Sequence, residues 1–372
     1  MRIGGLQVGG RLDRYVAWLF VKSYLAAFFL VVGLYLIMDM AAKLDEYLGP
    51  GKDGSSPPGL DVVRLYALQL PFLYLSMSPF VTLVAGLFTA AKMTRFNEVV
   101  AALNSGASVR RLFLPVFGGA ALLAAGMFGL REWATEEIGI CRDALLDRLE
   151  KRRPAPIFAG FSIRDRQGRS IRIDEFRWGG EHGEESVLEG LVAHFPIAGG
   201  TCRILAERAW PLPPAADGRW RLEGGRRIVT GEAQVPSTLA TLEELSFTPE
   251  DVRLHWKGRE NPLDLSFSET RRLLERDPGR PEYRTLFHYH LTFPLAGLVL
   301  LAVGLPFLLG QERGRAVERV ALGLFLCVAY FGMDCVTRTL GLQGHLGPIH
   351  AAWLPVTTFA SLGAVLTGGV RS

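Results

Sequence analysis

The sequence predicts a helical membrane protein: six transmembrane helices, three before and three after an inserted all-β domain of sandwich, jellyroll-like or partly open barrel form. Three observations predict it. Long apolar stretches fill the first third and the last quarter of the chain, and each reaches the roughly 20 apolar residues that a bilayer core demands of a spanning helix. The sequence between them is polar, with short runs of β-branched and aromatic residues punctuated by Gly, Pro and Asp. Lys and Arg fall unevenly between the two alternating sets of connections, as they do when a chain crosses a membrane repeatedly.

The expected spans are 17–41, 62–91, 112–131, 286–309, 317–338 and 350–369. The second is long enough to tilt, and Pro71 and Pro79 are expected to kink it. The apolar stretch after Arg11 and Arg14 is too long for a cleaved signal segment, so it reads as the first span. Arg11, Arg14, Lys92, Arg95, Arg110, Arg111, Arg313, Arg315, Arg319 and Arg371 lie in one set of connections. The other set carries Lys43, Lys52 and Arg338, diluted by Asp45, Glu46 and Asp53. The basic set belongs in the cytoplasm. This makes both termini cytoplasmic and the insert periplasmic in a cell with two membranes.

The expected domains are residues 1–131 with spans one to three, 132–285 as the insert with flanking helical segments, and 286–372 with spans four to six. Strands are expected at 158–164, 170–178, 186–195, 203–210, 220–222, 226–230 and 240–245, with Gly224-Gly225 as a hairpin turn. Residues 143–153 read as a helical extension of the third span. Residues 266–275 read as a short helix, because Ser266 and Glu269 have capping-box spacing.

Several function classes are excluded. The chain has 372 residues and a net charge of +4, and no segment combines dense Lys/Arg with stacking aromatics, so nucleic acid is not a partner. No HExxH, CxxC or GxSxG spacing occurs. Gly49-Pro50-Gly51-Lys52 lacks the spacing of a phosphate-binding loop. No catalytic residue, metal site or cofactor is therefore assigned to this chain. Cys141, Cys202, Cys327 and Cys335 have no metal-ligand spacing, and free thiols are expected.

The connection after the second span holds the residues that point to a partner. A helix is expected over 94–106, capped by Thr94, with Glu98 at its positive end and Gly106 as its stop, and Ser108 capping the next span. Val99, Ala102 and Leu103 form an apolar face beside Glu98, and Arg110 follows. Such a helix either docks into a groove on a cytoplasmic protein or rests on lipid headgroups. Near the outer side, Asp39 with Lys43 and Asp334 with Arg338 have the spacing of helical ion pairs. Lys43, Arg64 and Arg131 are the candidate basic rim for an anionic headgroup. His288 and His290 read as interfacial histidines, and Lys22 as a snorkelling lysine.

Taken in order, these features resemble the LptF/LptG (YjgP/YjgQ) family of lipopolysaccharide-export permeases over nearly the whole chain. The resemblance is carried by Leu12-Asp13-Arg14-Tyr15, by residues 97–108 with Arg110-Arg111 and Pro115, and by Phe293-Pro294-Leu295-Ala296. Gly304-Leu305-Pro306, Arg313-Gly314-Arg315, Tyr330-Phe331 and Ala352-Trp353-Leu354-Pro355 complete it. It implies a non-catalytic subunit of an ABC exporter in the bacterial inner membrane, where ATP and Mg are bound by a separate cytoplasmic ABC ATPase dimer. The implied partners are that ATPase, a second LptF/LptG-type permease, periplasmic jellyroll bridge proteins of the LptC/LptA kind, and lipopolysaccharide. Glu98 matches the acidic residue of the family's coupling helix. Acyl chains would lie against spans one, two and five. Lys43 stands where some members carry basic substrate contacts, but here it is surrounded by acids. The alternative reading is a membrane-anchored periplasmic binding or assembly protein without a transport cycle, which has no need of a docking helix. A lipoprotein-release permease is disfavoured, because a four-span layout would be expected.

Overall fold

A computed structural model of the chain describes residues 2–3, 6–7, 10–48, 59–139, 141–142, 145–146, 157–165, 167, 169–179, 185–197, 200–213, 218–230, 237–242, 247–260, 262–308 and 316–369. The basic run at 313–315, the loop around 49–52, Arg371, residues 243–245 and most of 143–153 lie outside them. In chain order the elements begin with a short antiparallel pair, β1 (Arg2–Ile3) and β2 (Leu6–Gln7). Helices α1 (Arg11–Leu48), α2 (Gly59–Arg95), α3 (Glu98–Asn104) and α4 (Val109–Trp133) follow, and α4 continues into a π-helical turn, Ala134–Ile138. Then come β3 (Ile157–Arg164), β4 (Ser170–Arg177), β5 (Val187–Ile197), β6 (Gly200–Pro211), β7 (Trp220–Glu223), β8 (Arg226–Thr230), β9 (Ser237–Thr238) and β10 (Thr241–Leu242). The chain closes with α5 (Pro249–Glu260), α6 (Phe267–Arg276), α7 (Pro281–Leu308), α8 (Ala316–Leu342) and α9 (Pro348–Gly369). Contacts divide these into two units, Met1–Arg142 with Arg284–Ser372, and Asp143–Tyr283.

Among the described residues of the helical unit, six helices are long and apolar enough to cross a membrane: Arg11–Lys43, Gly59–Arg95, Val109–Trp133, Pro281–Pro306, Ala321–Leu342 and Pro348–Gly368. Each contains or closely overlaps an expected span. Helix α2 runs through Pro71 and Pro79 without a break, so the expected kink does not interrupt it. Helices α2 and α7 form the centre and approach closely at glycines. A Cβ on Gly86 would lie 2.0 Å from Leu301 Cδ2, one on Gly304 2.7 Å from Leu83 Cδ1, and one on Gly297 3.2 Å from Thr82 Cβ. Small residues at such crossings allow dispersion contacts to hold helices together where lipid offers no hydrophobic drive. Two hydroxyls inside α2 are satisfied locally: Thr82 Oγ1 donates to Ser78 O and Thr89 Oγ1 to Ala85 O, both at 2.8 Å. Helices α1 and α8 expose Phe29, Leu34, Ile37, Phe325, Val328 and Val336, a surface that suits hydrocarbon as solvent.

The inserted unit is an antiparallel sheet. Chain neighbours β3, β4, β5, β6 and β7 pair in succession, and β10 pairs with β7. Both β7 and β8 lie along β6 in one continuous register, with Arg208 opposite Glu223 and Leu205 opposite Arg226. Gly224-Gly225 is therefore not the expected hairpin turn. It is a break within one long strand, with Gly224 at φ 66°. The next strand crosses the break: Leu239 N donates to Gly225 O at 2.9 Å and Leu222 N to Ala240 O at 2.8 Å. A Cβ on Gly225 would sit 2.1 Å from Leu239 O. The Greek-key crossing of a full jelly roll is not among the described pairings, which form a meander.

The break belongs to a line across the sheet. The registers set Gly160 opposite Asp174, Asp174 opposite Gly190, Gly190 opposite Glu207 and Glu207 opposite Gly224. The three glycines have φ 62°, 68° and 66°, values that cost a side-chain-bearing residue but not glycine. At this row the inward alternation slips by one residue. In β4 the buried set passes from Ile171 and Ile173 to Phe176, in β5 from Leu188 to Leu191 and Ala193, and in β6 from Ile204 and Ala206 to Ala209. A sheet that changes its inward face along one row folds there, and both halves still contribute to one core. Trp220 fills that core, stacked on Phe247 at 5.0 Å between centroids and donating from Nε1 to Phe247 O at 2.9 Å.

Two helices follow the sheet. Helix α6 has the expected capping box, with Glu269 N donating to Ser266 Oγ at 3.0 Å and Ser266 N to Glu269 Oε2 at 2.8 Å. Helix α5 was not expected. It starts from a reciprocal cap in which Thr248 N donates to Asp251 Oδ2 at 2.8 Å and Asp251 N to Thr248 Oγ1 at 3.2 Å. Lys257 Nζ then bonds both Glu269 carboxylate oxygens, at 2.9 and 2.8 Å, tying α5 to α6.

Candidate functional site

The connection between α2 and α4 is built from local signals. Helix α2 continues past Thr94, whose hydroxyl donates back to Ala90 O at 2.8 Å, so Thr94 does not cap a new helix as expected. Asn97 instead turns the chain with φ 56°, a left-handed conformation that Asn tolerates better than most residues. Helix α3 then occupies Glu98–Asn104, shorter than the expected 94–106. Gly106 at φ 86° ends the connection, and Ser108 caps α4 by accepting from Arg111 N at 3.4 Å.

The apolar face of α3 points inward. Val99 and Ala102 are buried and Leu103 is packed against the same core, which also takes Val16, Leu19 and Phe20 from α1. This corrects the expectation that Val99, Ala102 and Leu103 face a partner; they seat the helix on its own bundle. The outward face carries Val100, 52% exposed, with Ala101 and Asn104; Phe96 just before the helix, 61% exposed, and Gly106 and Arg110 after it are exposed too. Glu98 is half-buried. Its Oε1 accepts from the Tyr15 hydroxyl at 2.8 Å, while its Oε2 is buried with no hydrogen-bond partner among the described residues.

A second polar group joins three helices within the membrane unit. Arg131 Nη1 lies 2.8 Å from His290 Nδ1, and the Arg131 guanidinium sits over the Phe293 ring at 5.6 Å. Arg338 pairs with Asp334 at 3.5 Å, donates to the Tyr289 hydroxyl, and covers the Tyr289 ring at 4.8 Å. The expected rim cation Arg131 is therefore turned into the bundle, and His290 is buried rather than interfacial. Stacking and donation let an Arg lie in an apolar region at reduced cost. Between α1 and α2, Lys43 pairs with Asp39 at 3.2 Å, and Asp39 also accepts from the Tyr66 hydroxyl at 3.1 Å. Arg64 is exposed. Deeper, the Tyr24 hydroxyl lies 3.0 Å from that of Tyr74 and 3.4 Å from Ser78 Oγ.

The sequence that builds these six apolar spans and the inserted antiparallel sheet matches a family model over nearly its whole length. Residues 14–368 match the family described as lipopolysaccharide export system permease LptF/LptG. The chain belongs to the LptF/LptG family. No individually curated protein matches the sequence.

LptF/LptG membership makes the chain a multi-pass inner-membrane permease of lipopolysaccharide export. Against that identity the site residues separate clearly. Glu98, Val99, Ala102, Leu103, Gly106 and Arg110 do gather on one connection. Lys43 and Arg131, by contrast, each have partners of their own, and Arg64 is open to its surroundings. Sequence reasoning missed Tyr15 as the partner of Glu98, His290 as that of Arg131, Tyr66 as that of Asp39 and Tyr289 as that of Arg338. The signal for Tyr15 was present in Leu12-Asp13-Arg14-Tyr15, but a contact across 83 residues has no local pattern. Among the described residues no His/Cys/Asp/Glu group is arranged to hold a metal ion, and all four cysteines are free.

Proposed function

We propose that this LptF/LptG-family chain is the non-catalytic transmembrane subunit of an ATP-driven exporter. It extracts lipopolysaccharide or a related glycolipid from the inner membrane and passes it to a periplasmic bridge of β-domain proteins. A second permease of the same family completes the pathway. A separate cytoplasmic ATPase dimer binds ATP and Mg and hydrolyses the nucleotide. The Lys/Arg asymmetry supports cytoplasmic termini and an external insert.

The observation that carries this reading is the mounting of α3. An interfacial helix resting on lipid buries its apolar face in the headgroup region, whereas α3 buries that face in its own bundle and presents Val100, Ala101 and Asn104 outward, beside the exposed Phe96 that precedes it. A seven-residue helix held this way is a handle: a force on its outer face reaches the spans through Val99 and Ala102. On the other side of the membrane, the apolar faces of α1 and α8 suit acyl chains. Arg64 is the cation that meets a phosphate first, while Lys43 and Arg131 would have to exchange Asp39 and His290 for it.

Co-purification of the ATPase and ATP-dependent lipopolysaccharide release from proteoliposomes test the proposal. Val100→Asp with Ala101→Arg changes only exposed positions, and it is expected to abolish both without loss of membrane insertion. Wild-type values in both assays would overturn the docking role of α3 and favour the anchored binding protein.

A further inference from the structure

Helix α3 is too short to hold its own place. Isolated helices below about 12 residues are marginal in water, and α3 has 7. Two things fix it. One is the apolar seat of Val99, Ala102 and Leu103 in the core shared with Val16, Leu19 and Phe20 of α1. The other is directional, the 2.8 Å hydrogen bond from the Tyr15 hydroxyl to Glu98 Oε1.

Tyr15 stands on a firm platform. It lies in the second turn of α1, whose start is tied by Gly10 N donating to Asp13 Oδ2 at 3.1 Å and Arg14 N donating to Gly10 O at 3.2 Å. Its neighbour Val16 is fully buried, which fixes the backbone at Tyr15, while the 44% exposed ring is held in place by its bond to Glu98. Glu98 opens α3 directly after the left-handed Asn97. Its second oxygen is buried and unpartnered, and a carboxylate depends heavily on its one donor when the other oxygen finds none.

We propose that Tyr15 is the positioning residue for Glu98, and that the pair is a latch through which displacement of α3 is transmitted to the first transmembrane helix. The latch rests on the docking role proposed for α3. An apolar seat alone lets α3 slide or roll, because dispersion contacts have no direction. The phenol–carboxylate bond has both length and direction, so α3 and the cytoplasmic end of α1 move together while it holds. A partner that pulls α3 then moves a span whose far side faces lipid and substrate. Release of the bond uncouples the two movements without removing the docking surface.

The test has two arms on the full-length protein. In detergent, amide hydrogen exchange over 98–104 is compared among wild type, Tyr15→Phe, Glu98→Leu and the double variant. Each single variant is expected to raise exchange about tenfold, the effect of losing one hydrogen bond to a charged group, and the double variant no further. Unchanged exchange in both singles, or fully additive effects, would overturn the latch. In proteoliposomes carrying the ATPase, Tyr15→Phe is expected to retain ATPase co-purification and hydrolysis while releasing severalfold less lipopolysaccharide per ATP. A wild-type ratio overturns the transmission role, and so does loss of co-purification, which would make Tyr15 a partner contact. Failure of the wild-type chain to bind the ATPase removes the docking reading instead, and the exchange arm still decides the latch.

Discussion

His255 is the clearest case of a single side chain whose burial has a measurable consequence. It lies on α5, almost fully buried, with Nδ1 3.5 Å from the Tyr283 hydroxyl and Nε2 without a hydrogen-bond partner. Burial, reinforced by the nearby Arg276 and Arg280 cations and opposed by Asp251 and Asp277, pushes its pKa down from 6.5 to about 4. The folded insert therefore holds a neutral imidazole where the unfolded chain takes up a proton. Stability is present above pH 6.5 and is lost as pH falls toward 4, because the unfolded state binds more protons across that window. The span corresponds to stability on the order of 3 kcal/mol. Proteolytic resistance of the insert in the full-length protein should fall over this window, and His255→Leu should flatten the fall. Identical pH profiles for both proteins would contradict the assignment.

At the scale of elements, the α2–α7 crossing makes a demand that periodicity does not reveal. Gly86 has no room for a methyl group, since Leu301 Cδ2 occupies that position. Gly86→Ala is expected to lower stability by about 1–3 kcal/mol through overpacking, read as a lower Tm in detergent, with partial recovery when combined with Leu301→Ala. No change in Tm, or no recovery, would show that the helices part easily. The spans themselves were legible because a bilayer imposes both length and hydropathy on every crossing. The sheet was partly legible. Gly224-Gly225 signals a chain reversal and a strand break alike, and only the register along β6 separates them. Helix α5 was missed although Thr248-Pro249-Glu250-Asp251 carries a helix start. Its cap uses Asp where the familiar pattern has Glu or Gln, and the residues after it lack an extended apolar stripe.

For the whole molecule, sidedness is the property with the widest consequences. In a background with Cys141, Cys202, Cys327 and Cys335 replaced by Ser, the exposed positions Ser105, Ser162 and Gln343 report it directly. Ser105→Cys should react with an impermeant maleimide only from the cytoplasmic side, and Ser162→Cys and Gln343→Cys only from the periplasmic side. Labelling of Ser162→Cys from the cytoplasm alone would invert the proposed arrangement. The same scale shows where sequence reading ends. The existence of a helix after span two follows from Glu98, Gly106 and Ser108. Which of its faces packs inward depends on Val16, Leu19 and Phe20, which no window around α3 contains.

The row of alternating glycines and acids across the insert also bears on how the sheet assembles. In a flat sheet, sliding one strand by two residues leaves every side chain on its proper face, so such errors carry little penalty. Here β4, β5 and β6 each reverse their facing at one position, and the row on which they do so runs from Gly160 through Asp174, Gly190 and Glu207 to Gly224. A two-residue slide of β5 would set the left-handed Gly190 against a straight stretch of β4 and turn part of one strand's apolar set toward water. The bend thus works as a key cut into the central strands: they fit together fully in one alignment and reject the near misses that a plain meander would accept.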